Sequence, residues 1–323
     1  MRADELRNGL GVAVASAFVI VVVAAAAGPL LTGGTAADPP AELDNSEYAV
    51  GEVASNPEPA VGEIRPDASG DGATVLIDVA HANRIQRTDL TPLIRGFQRA
   101  GLSVRFHESG DLDAALSNAS AFVVVDPGIG YTQTEVESLQ SFTDDGGRVL
   151  LFAEPNTITV SGGLRPSVTE RETNVERIGT AYGLSFSPEF VYNQRVNDGN
   201  YKRVVARPEN GASDVGERVV LDTTGYVVPT GEATVLLRTP EGTATSGTDR
   251  RGRYAVGVRT GNLVAVTDSS LLGPEEYNVA DNEAFLSYLV AFLADGDGGG
   301  AAGETQNETG NSTATETATP TPA

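Results

Sequence analysis

The sequence predicts an α/β domain: a mostly parallel sheet with helices on both faces and a β-rich insertion, preceded by one transmembrane helix. Three observations carry this. Short β-branched runs alternate with amphipathic segments between residues 74 and 152. A hairpin followed by an apolar helix closes the region at 254–294, and an uncharged run of 22 residues lies near the start. Strand–helix–strand alternation at this spacing calls for right-handed crossovers, hence parallel strands covered by helices.

The uncharged run is Leu10 to Leu31, LGVAVASAFVIVVVAAAAGPLL. About 20 apolar residues cross a ~30 Å hydrocarbon core, whereas the apolar part of a secretory signal usually runs to about 7–15. The run reads as an uncleaved single-pass anchor, with cleavage near Thr35-Ala36-Ala37 as the alternative. Arg2 and Arg7 precede it, and the next basic residue is Arg65. The excess of positive charge places residues 1–9 in the cytoplasm and everything beyond the anchor outside it. Two sequons, Asn307-Glu308-Thr309 and Asn311-Ser312-Thr313, agree with that topology without proving it. Residues 32–72, with Pro39, Pro40, Pro57, Pro59 and Pro66, read as an extended linker.

The folded part is expected at 73–294. Thr74–Val79 is a strand, Asp89–Arg99 a helix closed by Gly101, Leu102–Phe106 a strand, and Ala121–Val125 a buried strand. Thr134–Phe142 is a helix ended by Gly146-Gly147, and Arg148–Phe152 a fourth strand. Residues 156–250 are polar and form a β-rich insertion or a poorly separated second lobe. Within them we expect a helix at Asn174–Tyr182 and strands at Ser185–Tyr192, Val219–Leu221 and Thr234–Leu237, with a turn at Asn197-Asp198-Gly199-Asn200. Tyr254–Val258 and Leu263–Val266 flank the Thr260-Gly261-Asn262 turn, and a last helix runs from Asn282 to Ala294. Residues 295–323 bury too little apolar surface to offset ordering entropy and are expected to be disordered.

Composition excludes several chemistries. Of 323 residues none is Cys, so disulfides, thiolate zinc, iron–sulfur clusters and a Cys nucleophile are out. The 44 acidic against 22 basic residues give a formal charge of −22, which argues against tracking nucleic-acid phosphates. Lys202 is the only lysine, and the acids are spread along the chain. Such a surface stays hydrated at high salt, where screening shortens to about 3 Å at 1 M. It reads as a halophile's protein.

In an open sheet, ligands gather beyond the carboxyl ends of the strands. Polar residues follow those ends: Asp78, His81 and Asn83 after the first, Asp126 after the third, Glu154 after the fourth, Asp268 after the hairpin. Asp281 and Asn282 open the last helix. The functional reading is a shared acidic crevice able to hold a cation or a polyol. The structural reading is that strand ends need turn formers and caps. His81 reads as a general base, a ligand or a solvated loop side chain, and His107 beside Glu108 is a weaker case. No G-x-S-x-G, S-x-x-K or histidine-pair spacing is present, and no G-x-G-x-x-G or P-loop follows the first strand, so no nucleophile, cofactor or metal is expected. Arg250, Arg251 and Arg253 form a basic cluster, either an exposed turn or a surface for an anionic partner.

Together VLIDVAH, VVVDPG, GGRVLLFAEP, NDGNY, and VAVTDSSLL followed by VADNEAFLSYLVAFL resemble the domain of unknown function 4350 family, in its haloarchaeal type. The resemblance covers about residues 73–294. It implies kinship with the auxiliary proteins of gliding-type ABC transporters and a glutamine-amidotransferase-like or flavodoxin-like core. It also implies work beside membrane complexes that include an AAA-type ATPase. Amidotransferases carry a Cys nucleophile after a central strand; Glu154-Pro155 follows the fourth strand here, so that activity does not carry over. The expectation is a non-catalytic, membrane-anchored domain outside the cytoplasm that binds no nucleic acid but a ligand or another component of a membrane complex. The alternatives are a hydrolase of a cell-envelope carbohydrate or polymer, using Asp126 or Glu154 near His81, and a surface spacer.

Overall fold

The structure, a computed structural model, describes residues 57–161, 167–209 and 215–295. The expected cytoplasmic start, the anchor at 10–31, the linker as far as residue 56 and the tail from 296 lie outside these residues. Among the described residues no helix is long and apolar enough to cross a membrane.

The first half follows the alternation. β1 (Thr74–Asp78), α1 (Thr91–Arg99), β2 (Ser103–His107), α2 (Leu112–Leu116), β3 (Ala121–Val125), α3 (Gln133–Asp144) and β4 (Arg148–Phe152) succeed one another. Much later β16 (Leu263–Val266) joins parallel to β4, giving the order β2-β1-β3-β4-β16. All five residues of β3 are buried because both its edges and both its faces are covered. Val123 and Val125 meet Leu93 and Phe97 of α1 and Phe285 and Leu289 of α5 (Asn282–Asp295). Phe122 and Val124 face the other way, to Leu116, Val136, Leu139 and Ile178 of α2, α3 and α4 (Glu176–Ala181). Each such side chain contributes about 1.5–3 kcal/mol on burial.

Beyond β16 the sheet turns antiparallel. β15 (Ala255–Thr260) pairs with β16 through the expected turn, where Gly261 takes φ 52°. β12 (Thr234–Arg238), β9 (Arg203–Pro208) and β10 (Val219–Asp222) continue outward, and β11 (Val227–Pro229) bridges β15 to β7 (Leu184–Phe186). The insertion thus builds half of the same sheet; it is not a second lobe. The sheet as a whole is mixed, parallel in the five strands from β16 to the β2 edge and antiparallel beyond them. Two small sheets lie apart: the β5 (Thr157–Ser161)–β6 (Ser167–Arg171) hairpin, and β8 (Val191–Tyr192) with β13 (Thr243–Thr245) and β14 (Arg251–Gly252).

Other differences have local causes. The strand expected at 185–192 is split around Pro188, which has no N–H for a ladder. α2 is only five residues long, too short for a helical period, and forms because Asp111 accepts from Ala114 N at 3.1 Å. Residues 57–72 do not continue a free linker. Ile64 is buried against Gly96 of α1, Val61 N donates to Asn278 O (2.7 Å), and Ala280 N to Pro59 O (3.1 Å). A buried isoleucine and a few backbone hydrogen bonds thus pin a Pro/Gly-rich run.

α3 starts with a capping box. Thr132 Oγ1 accepts from Glu135 N at 3.3 Å, and the Glu135 carboxylate accepts from Thr132 N at 2.8 Å. Replacing Thr132 with Ala is expected to lower stability by about 1 kcal/mol, a Tm fall of about 2–4 °C. Calorimetry checks this; an unchanged Tm would show that the box contributes nothing.

Candidate functional site

With the order β2-β1-β3-β4-β16, successive connections leave β1 and β3 in opposite directions, the topology that in open sheets sets a crevice at the carboxyl ends of the strands. The loops after them are stitched together. Gly128 N and Ile129 N both donate to His81 O (2.9 Å each), Arg84 N donates to Asp126 O (3.0 Å), and Asn83 Nδ2 donates to Val125 O (2.8 Å). Gly128 is required here, because a Cβ would come within 2.5 Å of Ala82 O. Asp126 turns the chain with φ 38°, a left-handed conformation that Asp tolerates better than most residues.

One cluster is buried around Asp78. Its Oδ2 accepts from Tyr131 O–H at 2.7 Å and faces His81 Nδ1 at 3.0 Å. His81 Nε2 lies 3.3 Å from Glu135 Oε1, and its ring stacks on Tyr131 at 3.8 Å. Burial opposes charge on the imidazole, but Asp78 and then Glu135 outweigh it and raise its pKa. Burial likewise works against the Glu135 carboxylate, yet the bonds from Thr132 and the charge of His81 bring its pKa below the usual range. Burial, followed by the charge of Asp78, pushes the Tyr131 phenol well up. His81, with a carboxylate at each nitrogen, is thus no solvated loop side chain; it ties the β1 loop to the start of α3.

A second cluster crosses the crevice. Asp126 is bonded by Arg84 at 3.1 Å and closely by Arg171, the last residue of β6. Burial nonetheless raises the Asp126 pKa despite the two guanidiniums. Beyond it, Glu154 accepts from Ser269 N (2.7 Å) and Ser269 O–H (2.5 Å). Burial, with a smaller push from Asp126, lifts Glu154 to about 7 against the bonds from Ser269. Asp268, fully buried, accepts from Asp222 N and Ser270 N at 2.7 Å each, and burial with the charge of Glu154 raises its pKa strongly.

Six of the seven residues expected at the site gather in these two clusters: Asp78 and His81 in the first, Asn83, Asp126, Glu154 and Asp268 along the second. Asn282 does not join them. Its amide pairs with both backbone groups of Val220 and donates to Glu276 O at 2.8 Å, so it clamps β10 to α5. Asp281 has a similar task, accepting from Glu217 N and Arg218 N. The crevice is also not purely acidic. Arg84 and Arg171 stand in it, and Tyr131, Glu135 and Ser269 complete the network. The sequence reading missed Glu135; the Thr132-x-x-Glu135 spacing of a capping box could have marked it, but nothing local encodes its reach to His81. Arg171 arrives from a hairpin 45 residues after its partner. Arg250, Arg251 and Arg253 are exposed around β14, with Arg253 3.2 Å from Glu209.

A cavity of about 650 Å³ opens beside Tyr131 between α3 and α4, lined by Gln133, Gln140, Asn174, Glu176 and Arg177. Among the described residues no group of three or more His, Asp or Glu side chains is placed to hold a metal ion.

The family model described as "Domain of unknown function (DUF4350)" matches residues 96–290. No curated protein matches the sequence. Among solved structures, the mmIFT52 N-terminal domain is similar with a TM-score of 0.54 at 16% identity, over 70% of this chain and 99% of that one. That likeness speaks for the fold. A protein of Bacteroides uniformis ATCC 8492 described as ThuA-like has a TM-score of 0.40 at 11% identity, over 72% of this chain and 93% of its own. A Thermoplasma acidophilum protein described as part of a GMP synthase has 0.42 at 10%, over 69% and 94%.

Proposed function

Since the chain belongs to the family described as a domain of unknown function, DUF4350, we propose for it a role in binding: a membrane-anchored domain facing out of the cell, whose crevice between β1 and β3 receives a ligand or a component of a membrane complex. The observation that carries the reading is the gathering of Asp126, Arg84, Arg171 and Glu154 at the point where the strand order reverses. Perturbed titratable groups gathered at such a point are candidates for a functional site. The apolar run at 10–31 and the charges before it support the anchor and its direction. The spread of acidic residues supports a halophilic setting, and the resemblance to the family's haloarchaeal type an archaeal one.

A second reading rests on Glu154. A carboxyl poised near 7 beside a second carboxyl suits an acid–base pair acting on an envelope polymer. One experiment separates the two. Full-length protein is cross-linked in membranes, and partner recovery is compared between the parent and Asp126→Ala/Glu154→Ala. The binding reading expects at least a tenfold loss of the captured partner, with no glycan or ester turned over by the parent. Equal recovery from both would overturn it, and turnover abolished in the double variant would establish the hydrolase. Protease protection of a C-terminal tag tests the topology: a tag shielded in intact cells refutes the outward orientation.

A further inference from the structure

Resting on the crevice reading above, we propose that the group received between Arg84 and Arg171 is the single carboxylate of a small organic acid. Both guanidiniums reach Asp126, and among the described residues neither pairs with another carboxylate. Two guanidiniums converge directly on one carboxylate, in a chain whose formal charge is −22, while Glu154, which also bears on Arg171, is held toward its neutral form by burial. The Asp126 side chain is 1% exposed, whereas those of Arg84 and Arg171 are 26% and 36% exposed. A solute entering the crevice therefore meets the cations and not the carboxylate. Guanidinium N–H groups can take a carboxylate through paired bonds, and on Asp126 each uses only one, Arg84 to Oδ1 and Arg171 to Oδ2, so both keep donors to spare.

A separate observation points to the same place. Arg171 Nε, Asn83 Oδ1 and Thr173 Oγ1 are buried and have no hydrogen-bond partner among the described residues. Asn83 is held on Val125 O, next to Asp126, Arg171 is itself one of the two cations on Asp126, and Thr173 N is bonded to Asn156 Oδ1, two residues past Glu154, so all three residues belong to the loops at these strand ends. Buried polar atoms are ordinarily satisfied. The charge of the ligand is limited as well. A phosphate monoester brings about −1.5 to −2, more than one surplus positive charge balances beside the carboxyls of Glu154 and Asp268. One carboxylate matches it.

The test uses full-length protein in a non-ionic detergent, with ¹³C-labelled acetate as the probe and chloride keeping the ionic strength constant. Saturable broadening of the acetate resonance is expected with the parent, with affinity at least tenfold weaker in Arg84→Gln and Arg171→Gln. Asp126→Asn, which releases both guanidiniums, is expected to bind acetate about tenfold tighter, and this arm decides the matter if the glutamine variants do not fold. Unsaturable broadening, or an Asp126→Asn variant no tighter than the parent, overturns the proposal. So does inorganic phosphate displacing acetate at a concentration below that at which acetate itself binds. If acetate fails while Asp126→Ala/Glu154→Ala still loses the captured partner, the carboxylate assignment falls and the crevice reading stands. If acetate binds as expected while partner capture is unaffected, only the partner reading falls.

Discussion

Replacing Asp78 with alanine is expected to cost about 3–5 kcal/mol of stability, the range for removing one member of a buried charged pair. The Asp78 carboxylate has no solvent exposure and serves three groups: the Tyr131 hydroxyl at 2.7 Å, His81 Nδ1 at 3.0 Å and Ala80 N at 3.2 Å. Alanine leaves a phenol 2% exposed without an acceptor and takes away one of the two carboxylates that face the imidazole. The pH response changes too. The His81 pKa is raised on folding, so its contribution is fully present below the unfolded value of 6.5 and is lost as pH rises through the folded one. That dependence should shrink in Asp78→Ala. Urea unfolding at pH 5.5 and pH 8.5 measures both effects, with Asp78→Asn as a milder comparison that keeps one acceptor. A cost below 1 kcal/mol would show that the cluster does not hold the loops together.

Glu154→Gln is expected to act in the opposite direction and only at high pH. The folded pKa of about 7 lies above the ordinary 4.5, so the folded state binds this proton more tightly than the unfolded chain does. Stability from this group is complete below about 4.5 and drains away as pH rises through 7, by roughly 3 kcal/mol in all. Glutamine fixes the neutral form while keeping an acceptor for Ser269 N, and it removes the charge that bears on Asp268. The variant should match the parent near pH 4 and exceed it by up to roughly 3 kcal/mol at pH 8.5. Unfolding curves at the two pH values decide this. Identical pH slopes for parent and variant would mean that Glu154 ionises as freely as a surface carboxylate.

The parallel part of the sheet was legible because β1, β3, β4 and β16 are short apolar runs, β2 alternates, and α1 and α3 repeat at helical spacing, whereas the five residues of α2 carry no such period. The antiparallel half was harder. β9 reads RVVARP, with its apolar residues too few to stand out from polar surroundings, and it becomes a strand through pairing with β10 and β12. Strand ends announced Asp78, Asp126, Glu154 and Asp268, since polar residues placed there follow from the topology. What local sequence does not encode is which partner crosses to them. Arg171 reaches Asp126 from a separate hairpin, and Ser269 reaches Glu154 from 115 residues away. Asn282 shows the converse: a polar residue at a helix start, read as site, whose whole hydrogen-bonding capacity goes to the backbone of β10 and the turn before its helix.

The place of β16 beside β4 has a bearing on how the polypeptide is made. Val149 finds its neighbour Leu263 only after more than a hundred further residues have been synthesised. Until then one flank of β4, four of whose five residues end up buried, is a bare row of amides and carbonyls on an oily ribbon. A nascent chain emerging in that condition is exposed to mispairing for the whole of the interval, and closure over so long a loop is slow. Biogenesis, more than the finished architecture, is then where this molecule is most vulnerable, and a chaperone that shields the β4 flank would relieve it.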